Sequence, residues 1–355
     1  MNKRENLLAA LRRQNPERVP FSFSLCPALE ETFIKETGCV GGDYMDYFDM
    51  PFRYVNILRS EHPADYAKYY VNLPSNAVID EWGVAEVPGG AYSHFSKMLH
   101  PMERFTEVRQ VEEFPLPDIL ADYRWTGFAE NIRTVKENGL AAVFGTIQIF
   151  EPAWYLRGMD NLLVDMMTDE DMARACFDRL VRVKVEMCRR IAAAGVDVII
   201  YGDDVGTQKA MMMNPALWRK WIKPVTQAVI QAAKDVNPDV LCYYHSDGVI
   251  NDIIPDLIEI GVDILNPVQP ECMDPAEVKR LYGDKLSFWG TIGTQTTMPF
   301  GSPRDVEETV AERIKTVGCG GGLVIAPTHL LEPEVPWENI MALVRAVEKY
   351  GKYGR

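Results

Sequence analysis

Basic charge is what this sequence has too little of: 37 lysines and arginines stand against 51 aspartates and glutamates, a net charge of −14. A surface that acidic argues against nucleic acid or anionic membrane as the main partner, since both are held by clustered cations. No apolar run is long enough to cross a bilayer, and the opening MNKRENLLAALRRQNPERVPF lacks the apolar core of a secretory signal. The seven cysteines (26, 39, 176, 188, 242, 272 and 319) form no CxxC pair and no disulfide-like framework. A reducing, cytoplasmic setting is therefore expected, with Cys176 and Cys188 as small buried residues on one long helix. GxGxxG after a first strand, a P-loop, internal repeats and low-complexity tracts are all missing.

What remains is the composition of a globular enzyme, 47% hydrophobic and 25% charged over 355 residues, enough for one large α/β domain spanning 1–355. Asn2 is placed to cap a helix through Arg12, and Pro20 introduces a short strand, 21–25. A helix over 28–37 follows, then an aromatic segment, 44–57, expected to hold the second strand. Residues 78–87 and 91–99, joined through Pro88-Gly89-Gly90, suggest a β-hairpin inserted in the fold. Residues 101–122 suggest an ordered loop with one helical turn, so the inserted region runs over about 75–125.

Regular alternation then sets in. Strands are expected at 140–147, 195–201, up to 245, 262–265, 286–290 and 322–326. Helices are expected at 128–138, 160–168, 170–194, 215–235, 249–260, 274–282, 303–317 and 334–350. Counted from Pro20 this makes eight strands, the (β/α)8 TIM barrel, with a doubly wound sheet as runner-up.

In such a barrel the chemistry sits past the C-terminal strand ends. The stretch 240–273 (VLCYYHSDGVINDIIPDLIEIGVDILNPVQPECM) puts His245, Asp247, Glu271 and Cys272 there. Strand 195–201 ends in Tyr201-Gly202-Asp203-Asp204 and continues to Gln208. Asp203 and Asp204 suit an acid, a base or a ligand-orienting pair; the competing reading makes one a turn cap and the other a solvated surface group. Gln148 and Trp154 follow strand 140–147 as pocket wall or core. Trp289 and Gln295 bracket a polar, flexible turn that fits a ligand rim. Strand 322–326 leads to His329. Two of only five histidines at strand ends, with Cys272 on the same rim, match the catalytic zinc pattern of three ligands and an open position. The pair of histidines could be completed by the cysteine or by a carboxylate, Asp247 or Glu271. A single histidine at such a place is more often simply hydrogen-bonded.

These residues carry a resemblance. The opening Arg4 to Pro20, Asp203-Asp204-Val205-Gly206-Thr207-Gln208, His245-Ser246-Asp247-Gly248 and Ile254 to Gln269 resemble the uroporphyrinogen decarboxylase superfamily. The Gly290 turn, Gly320 to Pro327 and Pro336-Trp337-Glu338-Asn339-Ile340 add to it. Within the superfamily the chain looks like the branch of zinc-dependent, corrinoid-linked methyltransferases. The arginine-rich RQAGR-type motif of true decarboxylases has no counterpart in Phe21-Ser22-Phe23-Ser24-Leu25-Cys26-Pro27. The branch's His-x-Cys becomes His245 and Asp247 here, and His329 stands near its second cysteine.

The resemblance thus implies methyl transfer between a small methylated compound (an ether, amine or thioether) and a cobalt corrinoid, with zinc as the cofactor. No DxHxxG segment is present, so the corrinoid is expected on a separate partner protein. Arg157 and Lys209 are the only bases near the expected strand ends, too few to grip a polycarboxylate tetrapyrrole. A lyase decarboxylating a small acid is the alternative, and a non-catalytic ligand-binding barrel would leave the polar strand ends unexplained. Methyl donor and oligomeric state, a homodimer included, stay open.

Overall fold

The computed structural model describes residues 1–88 and 96–353. Strand β1 (Phe52–Val55) precedes an inserted antiparallel sheet of β2 (Val78–Ile79), β3 (Ala85–Pro88) and β4 (Ser96–Leu99). The turn expected at Gly89-Gly90 lies outside the described residues. Strands β5 (Ala141–Ile147), β6 (Val198–Gly202), β7 (Leu241–His245), β8 (Ile264–Asn266), β9 (Ser287–Ile292) and β10 (Leu323–Pro327) follow. With β1 they form one parallel sheet of seven strands in the order β1-β5-β6-β7-β8-β9-β10. Every residue of β8, β9 and β10 is buried, as a parallel sheet covered on both faces requires.

The helices are α1 (Lys3–Leu11), α2 (Pro27–Thr37), α3 (Tyr44–Tyr47), α4 (Val108–Glu113), α5 (Phe128–Glu137), α6 (Phe150–Arg157) and α7 (Met159–Thr168). The chain continues with α8 (Glu170–Ala194), α9 (Pro215–Lys234), α10 (Ile254–Glu259), α11 (Pro275–Tyr282), α12 (Thr297–Phe300), α13 (Pro303–Thr316) and α14 (Trp337–Tyr350). None is long and apolar enough to cross a membrane. The architecture is α/β and TIM-barrel-like.

Three expectations change. The eighth strand, at 21–25, is reduced to parallel bridges from Phe21 to Ile325 and from Leu25 to Leu331. Pro20 and Pro27 bracket it and each removes a backbone donor, which leaves little length for a ladder. Residues 44–47 are helical, because Asp43 caps them by accepting from the Met45 N–H at 2.7 Å, and the strand begins only at Phe52. Helix α6 stands where only a post-strand aromatic segment was expected.

Local chemistry explains the clearest helices. Asn2 with Glu5, and Ser302 with Asp305, form capping boxes at α1 and α13. Helix α8 buries Met172, Cys176, Phe177, Leu180, Met187, Cys188 and Ile191 on one stripe, and Phe177 stacks on Trp221 of α9 with ring centroids 6.0 Å apart. Each such large apolar side chain contributes about 1.5–3 kcal/mol. At the opposite end from the site, Asp197 ties α1 to the sheet: Arg4 donates to it at 2.7 and 3.0 Å and the Ala142 N–H at 3.0 Å. The insertion is pinned by Arg124, 2% exposed, which donates to the Leu58 carbonyl at 2.8 Å and to both Glu81 oxygens at 3.0 and 3.1 Å.

Candidate active site

Strands β6 and β7 run in register, with Gly202 opposite His245. The approach is so close that a Cβ on Gly202 would stand 2.4 Å from the His245 carbonyl oxygen, so only glycine fits. Just past this contact the two neighbouring aspartates part. Asp203, 2% exposed, turns toward α6 and accepts the Glu151 N–H at 2.8 Å and the Ile149 N–H at 3.0 and 3.2 Å. Burial pushes its carboxyl up to about 8, the Glu151 charge adds to that, and the backbone N–H bonds oppose it. It anchors the β5–α6 connection. Asp204 turns into the mouth, accepts the Asp247 N–H at 2.8 Å, and lies 3.6 Å from His245 Nε2.

His245 is held from behind. Its Nδ1 meets Asn266 Oδ1 at 2.5 Å, and the Asn266 amide donates to the Trp289 carbonyl at 2.5 Å. The second bond fixes which end of the amide faces the ring. Nδ1 therefore carries the proton, and Nε2 presents its lone pair to Asp204 and Asp247. Burial disfavours the imidazolium, but Asp204, Asp247, the Asn266 bond and Glu151 together outweigh it and raise the His245 pKa. Burial raises the Asp247 carboxyl too, with the His245 charge opposing. Among the described residues, Asp204, His245 and Asp247 can each offer one ligand atom such that all lie within 4.8 Å of one another.

An imidazole and two carboxylates with an open side suit a divalent first-row cation, zinc included. A cation there would also relieve the repulsion between the two acids. The carbonyl–amide–imidazole chain through Asn266 is the kind of support that metal-bound histidines have. The residues fit the group.

The other expected residues separate. Cys272 Sγ donates to Gln208 Oε1 at 3.2 Å. Glu271 accepts from Thr296 Oγ1 at 2.9 Å and from the Gln295 N–H at 3.3 Å. His329 is exposed, on the side from which its charge reaches Asp247. None of the three comes within the 4.8 Å grouping. Gln208, Gln295, Asp247 and His329 line a cavity of about 230 Å³, and His245, Tyr54, Tyr243, Trp289 and His329 one of about 260 Å³. Trp289 packs edge-on against Phe52 and Tyr243, at 5.1 and 5.6 Å, and donates Nε1–H to Ser22 Oγ at 2.8 Å. Tyr201 is fully buried on the outer face of β6, its hydroxyl 3.5 Å from the Val229 carbonyl, and is a wall residue rather than a ligand contact. Trp154 packs edge-on against Tyr155 on α6. Gln148 donates to Glu151. Arg157 is consumed by Asp165 at 2.8 Å.

Two non-glycine residues at this end, Val268 (φ 49°) and Thr291 (φ 76°), hold left-handed backbone, a cost of about 1–3 kcal/mol each. Such strain collects where function constrains the chain.

The family model for uroporphyrinogen decarboxylase (URO-D) matches residues 98–350. The chain belongs to that family. Among characterised proteins, this chain is 28% identical over 181 residues to the methylcobamide:CoM methyltransferase MtaA of Methanosarcina barkeri, covering 51% of this chain and 50% of that one. It is 21% identical over 183 residues to the uroporphyrinogen decarboxylase of Coxiella burnetii, covering 51% and 48%. The chain thus spans about half the length of these relatives. A methyltransferase structure from Methanosarcina mazei superposes with a TM-score of 0.71 over 99% of both chains at 18% identity, a likeness of fold.

Sequence reasoning passed over two members of this site. Asn266 looked only like a strand stop before Pro267. Glu151, 7% exposed and accepting from Tyr155 Oη at 2.8 Å, sat inside a segment noted for its aromatics. Its carboxyl is raised by burial first and by Asp204 second, which marks it as part of the mouth's acid cluster.

Proposed function

We propose that this chain is a zinc-dependent methyltransferase that exchanges a methyl group between a small methylated ether, amine or thioether and a cobalt corrinoid on a partner protein. The observation that carries the reading is the Asp204–His245–Asp247 group with Nε2 aimed into it by Asn266. Those three residues would hold the ion. Zinc there would supply Lewis acidity toward the heteroatom that carries or receives the methyl group.

The chain's own groups do the rest. Asn266 keeps the imidazole in one tautomer. Tyr54, Tyr243 and Trp289 offer an aromatic wall to a methylated group. Asp203 and its backbone donors hold the β5–α6 turn, which keeps Glu151 beside the mouth. The similarity to a methylcobamide:CoM methyltransferase supports the corrinoid as co-substrate. The alternative, a carboxy-lyase acting on a small acid, draws on the similarity to uroporphyrinogen decarboxylase. The carboxylates facing the mouth oppose a polycarboxylate substrate and favour methyl transfer.

One experiment separates the two. The zinc-loaded protein is incubated with a methylated amine, ether or thioether and reduced corrinoid protein, and in parallel with uroporphyrinogen. Methyl-cobalt absorbance in the first, lost in His245→Ala, is the expected result. Coproporphyrinogen in the second overturns it.

A further inference from the structure

At the end of the barrel opposite the mouth, an open cavity of about 850 Å³ lies between residues 15–18, the 318–322 loop and Lys352-Tyr353. Its walls precede their strands: Arg18 comes before the 21–25 segment, and Gly320-Gly321 before β10. Asp204, His245 and Asp247 stand where β6 and β7 end, so the two sites face opposite ways.

Arg18 and Lys352 are the feature that calls for a ligand. They pair across an antiparallel bridge, which sends both side chains to the same side, and both line the cavity. Like charges directly opposite each other are destabilising unless an anion lies between them. Both residues are exposed, and among the described residues neither forms an ion pair. Glu17 puts a carboxylate on this wall, but it is turned to the Met1 amine at 3.2 Å.

The loop beside them adds donors. Gly320, Gly321 and Gly322 hold φ of 76°, 87° and 80°, three successive left-handed positions that glycine takes without strain. The Gly321 N–H donates to the Gly318 carbonyl and the Gly322 N–H to the Ala10 carbonyl, both at 2.9 Å. Those of Cys319 and Gly320 have no acceptor among the described residues, and a Cβ on Gly320 would meet nothing within 4 Å. Adjacent N–H groups left over on the open side of a glycine turn form a concavity suited to an anion.

Two further cations support the loop. Lys279 donates to the Gly321 carbonyl at 2.9 Å and Arg13 to Ser287 Oγ at 2.9 Å, and neither has a carboxylate partner among the described residues. Burial lowers the Lys279 pKa and the Arg13 charge lowers it further, with Cys319 opposing, as expected of a positive field without a counter-ion. Four bases without a paired acid surround one loop, in a chain whose net charge is −14. A tetrahedral dianion can meet Arg18, Lys352 and the two N–H groups at once; a planar monoanion cannot. Pro16 and Tyr353, whose Oη donates to the Gly318 carbonyl at 2.9 Å, wall the space beyond and leave room for an organic body.

We propose that this face binds a phosphate group between Arg18 and Lys352, on the N–H groups of Cys319 and Gly320. The site is independent of the reaction performed at the mouth.

Calorimetric titration of the full chain at constant ionic strength tests this with inorganic phosphate, phenyl phosphate and the monoanion benzenesulfonate. Saturable binding of a phosphate is expected, at least about tenfold tighter than the sulfonate, the value of one charge-assisted hydrogen bond. A preference for phenyl phosphate identifies the ligand as an organic phosphate, and equal binding of the two phosphates identifies it as the free ion. Arg18→Ala is expected to weaken binding at least about tenfold, Lys352→Glu to abolish it, and His245→Ala to keep it. Should Lys352→Glu not fold, Lys352→Ala and the phosphate–sulfonate comparison on the wild type carry the test. No saturable binding of either phosphate, or binding no tighter than that of benzenesulfonate, overturns the proposal. So does unchanged binding in the Arg18 or Lys352 variants, or loss of binding in His245→Ala instead.

Discussion

Asn266 is the side chain whose removal should report most directly on how the site is built. Replacing it with alanine deletes two buried hydrogen bonds, one to His245 Nδ1 and one to the Trp289 carbonyl, in a residue 7% exposed. At about 1 kcal/mol net for each bond, with an added share for the orphaned carbonyl, stability should drop by about 2–3 kcal/mol in urea unfolding. Metal affinity should fall by about 10–100-fold, because the imidazole loses the partner that fixes its rotation and tautomer. Asn266→Asp separates the two effects. It keeps an acceptor for Nδ1–H and so most of the affinity, while losing the donor to Trp289. Competition between the apoprotein and a chromogenic zinc chelator measures the affinity of each variant. Wild-type zinc affinity in Asn266→Ala, or equal loss in the alanine and aspartate variants, refutes the orientation argument.

Three further outcomes follow from the geometry. Cys272→Ser should keep zinc affinity within about threefold while Asp247→Asn loses about tenfold or more; elemental analysis showing the reverse pattern would move the metal to the thiol. Asp203 has a folded-state pKa of about 8, above its unfolded value of about 4, so the folded chain holds a proton that the unfolded chain releases between those values. Its contribution to stability is present at acidic pH and lost as pH rises to about 8, so unfolding curves of wild type and Asp203→Asn should diverge in slope over that window; parallel curves would contradict the buried, protonated carboxyl. Gly202→Ala should destabilise by about 1–3 kcal/mol, since its Cβ must displace the His245 carbonyl, and a thermal melt equal to wild type would show the approach to be looser than described.

The part of the fold past residue 139 was legible because strands buried on both faces are short apolar runs, and the helices between them carry caps and a 3.6-residue stripe. The region 59–125 was not, because its order comes from contacts distant in sequence. Arg124 bonds Leu58 and Glu81, and no local pattern announces that clamp. In the site, spacing placed Asp204, His245 and Asp247 at neighbouring strand ends. It could not tell Asp203 from Asp204, since adjacent residues leaving a strand point to opposite sides and only the surroundings distinguish anchor from mouth. Nor could it separate His329 from His245: both follow strands, but one has an amide behind it and the other is exposed.

The seam of the barrel has a consequence for biosynthesis. Residues 21–25 contact the sheet through Ile325 and Leu331, and Val19 donates to the Gly351 carbonyl at 2.8 Å. An early-made segment therefore waits for a late-made one. As the chain leaves the ribosome, β1 and β5 to β9 are available to associate while β10 and α14 are still unsynthesised, so the growing sheet presents an unpaired edge for most of translation. A nascent chain arrested before residue 323 should accordingly be captured by holdase chaperones and cut readily by protease. One arrested with α14 fully outside the exit tunnel should resist both.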